Sequence, residues 1–398
     1  MAKKKTSALK SVFSFLHLWL GLIAGLIILV SMSGAAIFVW EKELTDWYYA
    51  DLVFNESTTP KDRLPASILY ANVSAAYPEK DFTFMQASTA PNRNAVWRTY
   101  KSAEEKGWTW PSGVEHYLMV YINPYTGQVL GHIDRRKDWI TLSRFLHQTL
   151  LLEYDIGTTI LGVAGLIMFF MAISGLVLWW PKNKKVLKQR LKIKFSARFK
   201  RVNWDIHSVG GFYTYLFLLF FASTGLVWSY SWWANGIYRL LGNDPEEVFV
   251  RPDPPEITAY DFSVAMDQAY TDATARQPKW HTMYFNIPRP DQEKGTISVG
   301  LYYDRSDSWW MNSDYFYYHP QSGELHRTFT HEQKLMGEKW RHSNYYMHVG
   351  SIYGWPTKII AFICALFFAT LPITGFLIWY GKQAKKRRPA KRRRYQTA

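Results

Sequence analysis

The sequence lacks features on which whole classes of function depend. It has one cysteine, Cys364, among 398 residues, which excludes an internal disulfide, a thiolate zinc site and a cysteine-ligated iron–sulfur cluster. It also has no Gly-rich nucleotide loop, no Gly-x-Ser-x-Gly and no His-Glu-x-x-His. The chain therefore shows no NAD(P)H or flavin site, and any electrons that it handles come from a separate donor.

Acidic residues are missing from the most basic parts of the chain. The formal net charge is +15, and 23 of the 47 Lys and Arg lie in residues 1–16, 181–201 and 381–398, which contain no Asp or Glu. The rest of the chain has 24 basic and 32 acidic residues. Each basic segment adjoins an apolar run, which is the positive-inside pattern of a membrane protein. We therefore expect membrane lipids as partners and no nucleic acid.

Four apolar runs are long enough to cross a bilayer, which needs about 20 residues. They are roughly Val12–Trp40, Gly157–Trp180, Ile206–Tyr230 and Thr357–Tyr380. A cleaved signal peptide is the alternative for the first run, but the run is long and no clear Ala-x-Ala site follows it. We interpret it as a retained span, with both chain termini in the cytoplasm.

The charge pattern and the spans together predict eight consecutive parts. They are the N-terminus and first span (1–40), a first outer domain with an interfacial helix (41–156), the second span (157–180), a basic cytoplasmic loop (181–204), the third span (205–230), a second outer domain with an interfacial segment (231–356), the fourth span (357–380) and a basic cytoplasmic tail (381–398).

The two outer segments are predicted to be small α+β domains. Residues 116–122, 296–304 and 315–319 have strand-like patterns, and 66–76 and 263–273 have helix-like patterns. Turns are predicted at Asn123-Pro-Tyr-Thr-Gly127 and Pro320-Gln-Ser-Gly323. The predicted fold class is a membrane protein with four transmembrane α-helices and two outer α+β domains, built as an internal duplication.

The chain contains an internal duplication. The turn at 123–127 recurs at 319–323, and a tryptophan precedes both His147 and His348 by eight residues. His17 and His207 are each followed by glycine four residues later. Each span also carries a small-residue pair, namely Ser33-Gly34, Ser174-Gly175, Thr224-Gly225 and Thr374-Gly375. The common order indicates two copies of one unit, so each half contributes one histidine to each membrane face.

This histidine pattern predicts two haem groups, each with two axial histidine ligands. His17 and His207 lie near the cytoplasmic ends of spans, and His147 and His348 precede spans on the outer side. Ionisable residues within spans are costly and therefore indicate function. The glycines that follow His17 and His207 offer a flat macrocycle a shallow surface. Arg144 and Arg341 share helical faces with the outer histidines and are candidate partners of haem propionates.

Other interpretations of the histidines remain open. Each one alone is most simply a hydrogen-bonded structural residue, and the glycines alone indicate helix packing. Zinc or copper is possible, although no carboxylate or thiol cluster accompanies these positions. A proton relay is also possible, but the spans have no Asp or Glu at mid-depth. His342, six residues before His348, is an alternative ligand.

The sequence resembles the PepSY-associated transmembrane family, which includes inner-membrane ferric-siderophore reductases of the ferrioxamine-reductase type. The resemblance covers nearly the whole chain. It rests on the four Ser/Thr-Gly pairs, on Pro-x-x-Gly turns like the central turn of PepSY domains, and on the segments Phe15-Leu-His17-Leu-Trp-Leu-Gly21, Arg144-Phe-Leu-His147, Trp204-Asp-Ile-His207-Ser-Val-Gly-Gly211 and Tyr346-Met-His348-Val-Gly350. The chain departs from the pattern at His348, which has no arginine three residues before it.

The resemblance implies four spans, two periplasmic PepSY-like domains and b-type haem held by histidines. It also implies one-electron reduction of a periplasmic ferric siderophore at the bacterial inner membrane, with release of Fe(II). The electron donor would be a separate cytoplasmic reductase or quinol. Two alternatives are a haem-free PepSY binding module and a general membrane b-type cytochrome that passes electrons to another protein.

Overall fold

A computed structural model describes residues 8–57, 59, 62–250, 253–303 and 309–386. Within this part of the chain, four helices are long and apolar enough to cross a membrane: Ala8–Phe38, Tyr154–Trp179, Phe199–Ser229 and Trp355–Ala384. They coincide with the four predicted spans, so the prediction of a four-span membrane protein is confirmed. The basic tail beyond residue 386 lies outside the described residues.

Thirteen α-helices are described in these parts of the chain. They are Ala8–Phe38 (α1), Glu41–Tyr48 (α2), Ala50–Val53 (α3), Ala66–Ala76 (α4), Trp139–Thr149 (α5), Tyr154–Trp179 (α6), Lys184–Arg190 (α7), Phe199–Asp205 (α8), Gly211–Ser229 (α9), Ser231–Leu240 (α10), Ser263–Arg276 (α11), Met336–His348 (α12) and Trp355–Lys386 (α13). Among the spans, α1 packs against α6 and α13, and α6 packs against α9.

The third span is continuous but irregular. A π-helical turn, Ile206–Gly210, joins α8 to α9 and contains His207. Such turns are rare in proteins and are frequent at functional sites. Gly210 ends this turn, and a Cβ there would lie 2.5 Å from Cζ of Phe367 on α13. The glycine therefore allows α13 to pack closely beside the turn that carries His207.

The segments between the spans build one antiparallel sheet. Its strand order is β4-β3-β2-β1-β5-β6-β7-β8. The strands are Phe84–Ser88 (β1), Ala95–Ser102 (β2), Val114–Ile122 (β3), Val129–Asp134 (β4), Trp280–Asn286 (β5), Ile297–Tyr303 (β6), Asn312–Tyr318 (β7) and Leu325–Phe329 (β8). The first segment provides β1 to β4 and the second β5 to β8, so the duplicated halves meet where β1 pairs with β5.

The largest hydrophobic core lies between this sheet and two helices. Alternate strand residues, such as Trp97 and Phe285, are buried against α4 and α11. The turns predicted at 123–127 and 319–323 are present, with Gly127 at φ 72° and Gly323 at φ 69°. These elements confirm the α+β composition of both outer segments. The two segments also share one sheet, which the sequence did not predict.

The opposite face of the sheet lies toward the spans. Helices α2, α3 and α5 cover its first half, and α10 and α12 lie in the second half. Asp138 caps α5, since its side chain accepts hydrogen bonds from the backbone N–H groups of Ile140 and Thr141. The same carboxylate pairs with buried Arg135, which also reaches Glu41. This network fixes the start of the helix that ends near His147.

Candidate functional site: two histidine pairs

The four predicted histidines form two pairs, one at each end of the bundle. At the end away from the sheet, the rings of His17 and His207 have centres 6.3 Å apart and are nearly perpendicular, at 89°. At the end beneath the sheet, the rings of His147 and His348 have centres 6.0 Å apart, at 26°. Each pair therefore combines one histidine from each half, as the duplication predicts.

Each imidazole is held by a hydroxyl group on a neighbouring span. Ser174 on α6 hydrogen-bonds Nδ1 of His17 at 2.8 Å, and Thr374 on α13 hydrogen-bonds Nδ1 of His207 at 2.9 Å. At the sheet end, Nδ1 of His147 lies 2.9 Å from Oγ of Ser31, and Nδ1 of His348 lies 2.9 Å from Oγ1 of Thr224. The same ring nitrogen is thus occupied in all four histidines.

Occupation of Nδ1 leaves Nε2 as the available nitrogen. Within the described residues, no hydrogen bond reaches Nε2 of any of the four rings. Histidine ligands in metalloproteins commonly bind the metal through one nitrogen and hydrogen-bond a second group through the other. The hydroxyl groups would therefore orient each ring and select its tautomer. This is the arrangement expected of an axial ligand.

The spacing of both pairs fits two imidazoles on a single metal ion. A metal–imidazole bond is about 2 Å long, so two rings that share one ion must lie within a few ångströms of each other. The observed separations are 6.3 and 6.0 Å. Among the described residues there is no group of three or more His, Cys, Asp or Glu that could hold a metal ion. The donor set therefore fits haem iron better than a zinc or copper site with three or four protein ligands.

In three of the four sites, a glycine follows the Ser or Thr that hydrogen-bonds the histidine, and this glycine leaves space for the imidazole ring. A Cβ at Gly175 would lie 3.4 Å from Cε1 of His17, one at Gly375 would lie 3.3 Å from Cε1 of His207, and one at Gly225 would lie 3.2 Å from Cε1 of His348. Three of the predicted Ser/Thr-Gly pairs thus act as a unit. The hydroxyl holds Nδ1 and the glycine makes space for Cε1.

The fourth pair, Ser33-Gly34, acts differently from the other three. Ser33 donates to the backbone carbonyl of Leu29, and it is Ser31 that bonds His147. Gly34 instead allows α5 to pack against α1, because a Cβ there would lie 2.6 Å from the carbonyl oxygen of Ser143. The first span therefore carries the repeated pair but holds His147 through a different serine.

The other predicted glycines have mixed roles. A Cβ at Gly21 would lie 2.8 Å from Cε of Met171, and one at Gly25 would lie 3.3 Å from Cβ of Pro372. Both glycines therefore serve helix packing in this structure. A Cβ at Gly211 would meet nothing within 4 Å. Only Gly211 keeps the open surface that was expected beside the cytoplasmic histidines.

Two asparagines support the second-half histidines and were missed by the sequence analysis. Nδ2 of Asn203 donates to the carbonyl oxygen of Thr374 at 3.0 Å, and Nδ2 of Asn344 donates to that of Thr224 at 3.1 Å. Each asparagine lies four residues before its histidine. It therefore fixes the threonine whose hydroxyl group bonds that histidine. The repeated Asn-x-x-x-His spacing is the sequence signal that could have identified them.

A cavity of about 310 Å³ opens beside the His147–His348 pair. Its walls come from the spans and from α5 and α12, and include Arg144, Gln148 and Tyr345. The Arg144 guanidinium lies 5.5 Å from the ring centre of Phe38 and hydrogen-bonds Gln148. It is therefore placed on the cavity wall, where a propionate partner is expected.

Arg341 does not line this cavity. Its guanidinium lies 5.6 Å from the ring centre of Trp228, which is itself part of the wall. The alternative ligand His342 also lies elsewhere, because six residues along a helix rotate the side chain onto another face. Its ring contacts Tyr315 of the sheet. His348 is therefore the residue of α12 that faces His147.

Apolar residues separate the two pairs. Ser31, which hydrogen-bonds His147 at the other end of the bundle, follows His17 on α1 by 14 positions, or about 21 Å along the helix. A buried cluster that includes Phe368 and Cys364 occupies the middle of the bundle. Phe221 bridges from this cluster to His348, with ring-centre distances of 6.4 Å to Phe368 and 6.1 Å to His348.

The fold and site define a four-span membrane protein with a shared antiparallel sheet and a histidine pair at each end of the bundle. The model of the PepSY-associated TM region matches residues 15–382. The chain therefore belongs to the PepSY-associated transmembrane family. No curated protein matches the chain significantly.

Removing one hydroxyl group tests the role of the Nδ1 bonds. We expect Thr224→Val to weaken haem binding at the His147–His348 pair by about 10- to 100-fold, since that is the usual cost of losing a residue that orients a metal ligand. Thr224→Ser keeps the hydroxyl and should retain haem. Haem titration of the apoprotein measures both variants. Equal affinity in Thr224→Val and the wild type would contradict the orienting role.

Proposed function

We propose that the chain is a haem-containing reductase that moves electrons across the bacterial inner membrane to a periplasmic ferric siderophore. The observation that carries the proposal is the pair of facing imidazoles at each end of the bundle, each with Nδ1 occupied and Nε2 available. The membership of the PepSY-associated transmembrane family supports this proposal.

The four histidines would hold two haem groups of the b type. When bound, haem would supply one-electron chemistry, and the hydrogen bonds to the four histidines and their burial would tune its potential. Here the hydroxyl groups on α1, α6, α9 and α13 fix the rings in one orientation. Arg144 would hold a propionate of the haem nearest the sheet. The protein's contribution is thus position, ligation and exclusion of water.

The sequence charge supports the direction of transfer. The basic segments at 181–201 and 381–398 follow the second and fourth spans, which places the His17–His207 pair near the cytoplasm. A cytoplasmic reductase or a quinol would supply electrons to this pair. The sheet and the His147–His348 pair then lie on the periplasmic side. One electron converts Fe(III) to Fe(II), which hard oxygen ligands hold less tightly.

Reoxidation by matched metal complexes tests this function. The purified protein is reduced with dithionite, excess reductant is removed without oxygen, and a ferric siderophore or its gallium(III) complex is added. We expect the oxidised haem spectrum to return with the ferric complex only, together with Fe(II) captured by a ferrous chelator. The gallium complex has similar charge and shape but accepts no electron under these conditions. Slow oxidation by the ferric complex, with rapid oxidation by a soluble cytochrome, would favour a general electron carrier instead.

A further inference from the structure

A second cavity, of about 160 Å³, lies on the face of the sheet opposite α4 and α11. Its floor consists of β7 and β8, where Tyr315 pairs with Phe329 and Tyr317 pairs with Arg327. Helix α12 closes one side with His342, and Phe249 closes another. We call this cavity the His342 pocket. It is separate from the cavity beside His147 and His348.

The polar groups of the His342 pocket are suited to an anion. Nδ1 of His342 is buried and has no hydrogen-bond partner within the described residues. Arg327 lies on the wall and uses Nη1 to hold the carbonyl oxygen of Val250 at 3.0 Å. Among the residues that the structure describes, no acidic side chain lines the pocket. Because burial of an unpaired polar group costs free energy, Nδ1 of His342 is a hydrogen-bonding group that a ligand in the pocket could satisfy.

The electrostatic surroundings favour the same class of ligand. Buried Lys334 lies 5.1 Å from the ring centre of Tyr315 and 5.5 Å from that of Phe329, and its Nζ donates to Oγ of Ser313 at 2.8 Å. Burial lowers the pKa of Lys334 to about 7, so this side chain is partly charged at neutral pH. Burial, followed by repulsion from Lys334 and Arg341, lowers the pKa of His342 to about 3. The imidazole is therefore neutral at pH 7 and can donate from Nδ1 in one tautomer. Nearby Glu338 is already engaged by the backbone N–H of Phe249 at 2.8 Å.

The shape of the pocket selects a flat group. Its walls are largely aromatic, and its volume is about 160 Å³. This space accommodates one substituted ring. Phe249 adopts φ 59°, a left-handed conformation that is unfavourable for a bulky residue. Such strain is concentrated at ligand sites, and here it places the Phe249 ring beside His342, with centres 5.1 Å apart.

A row of tyrosines connects the pocket to the His147–His348 pair. Tyr315 lies 5.2 Å from His342 between ring centres, and its hydroxyl hydrogen-bonds that of Tyr302 at 2.6 Å. Tyr302 contacts Tyr346 at 6.2 Å, and Tyr346 contacts Tyr345 at 5.4 Å. Tyr345 lines the cavity beside His348. The pocket and the histidine pair are therefore joined by packed rings.

We propose that the His342 pocket binds a planar aromatic anion, with its charged group at Arg327 and His342 and its ring against Phe249, Tyr315 and Phe329. The ligand class is an aromatic carboxylate or catecholate. It is either a free aromatic acid or one arm of a ferric chelate. The ferric-chelate alternative rests on the proposed function. In that case the row of tyrosines would lie between the bound chelate and the His147–His348 pair, from which the electron would come.

Calorimetric titration of the full-length protein in detergent tests this site with benzoate and its neutral amide, benzamide. We expect benzoate to bind at least about tenfold more tightly than benzamide, since a charged hydrogen bond contributes about 1.5–3 kcal/mol. Arg327→Gln should weaken benzoate binding by a similar factor, and so should His342→Phe. Arg289→Gln, at an exposed arginine outside the pocket, is the matched control and should bind benzoate as the wild type does.

The outcomes separate this proposal from the proposed function. Equal binding of benzoate and benzamide, or unchanged binding in folded Arg327→Gln and His342→Phe, would overturn the anion site. If a variant loses its cooperative thermal transition and is therefore unfolded, the comparison of benzoate with benzamide on the wild-type protein still tests the anion site. Neither titration requires haem or electron transfer. Titration with 2,3-dihydroxybenzoate and its ferric complex then identifies the source: tighter binding of the complex indicates a chelate arm, and tighter binding of the acid indicates a free aromatic acid.

Discussion

The His348→Ala variant is expected to purify with one haem per chain, where the proposed function gives the wild type two. His348 supplies the only histidine that faces His147 among the described residues, so the iron at the sheet end would lose an axial ligand. Loss of an orienting hydrogen bond alone costs about 10- to 100-fold in metal affinity, and loss of the ligand itself costs more. The rate of ferric-siderophore reduction should fall by at least about 100-fold for the same reason.

The remaining haem distinguishes this result from general unfolding. His17 and His207 lie at the other end of the bundle, so their haem should stay and should still be reduced by dithionite. His17→Ala should give the mirror result, with loss of that haem and retention of the one near the sheet. His326→Ala changes an exposed histidine of β8 and serves as the control. Full haem content in all four single ligand variants would contradict the assignment.

The second large effect is expected from Gly225→Val, which leaves every histidine in place. A Cβ at Gly225 would already lie 3.2 Å from Cε1 of His348, and the two methyl groups of valine crowd the ring further. Overpacking of this kind costs about 1–3 kcal/mol, or about 5- to 150-fold in haem affinity if the strain falls on the ligand. Haem content and the reduced spectrum of the purified variant measure the effect.

Gly236→Val provides the matched control, since a Cβ at Gly236 in α10 meets nothing within 4 Å. Both changes place valine at a helical glycine, so they share the effect of the substitution on backbone freedom. Only Gly225→Val should lower the occupancy of the haem site beneath the sheet. Equal haem loss in both variants would show that valine acts through a general effect on the helix, and that Gly225 has no specific role beside His348.

Local patterns predicted the spans and the histidine pairs well. Apolar runs of at least 20 residues have few folded alternatives, and the structure has helices at all four. The duplication placed His17 with His207 and His147 with His348, because equivalent residues of two related halves lie at equivalent depths. The Ser/Thr-Gly pairs were noticed as repeated features, but their bond to Nδ1 depends on how the helices pack and rotate.

Contacts between distant segments could not be predicted from one sequence. The pairing of Met85 with Phe285 joins strands 200 residues apart, and nothing local to β1 or β5 specifies that partner. The same applies to Ser31, which replaces Ser33 as the partner of His147 because α5 crosses α1 at that depth. The His342 pocket combines three separate segments, so composition and spacing gave no sign of it.

The central claim is that the two histidine pairs bind haem, and it is tested most directly by the spectrum of the wild-type protein. Detergent-purified protein, made with adequate haem supply, is measured oxidised and reduced by dithionite, and haem is quantified per chain. We predict a sharp reduced α-band and two b-type haems per chain. Protein that contains no haem would contradict the claim, and the four hydrogen-bonded imidazoles would then have another role.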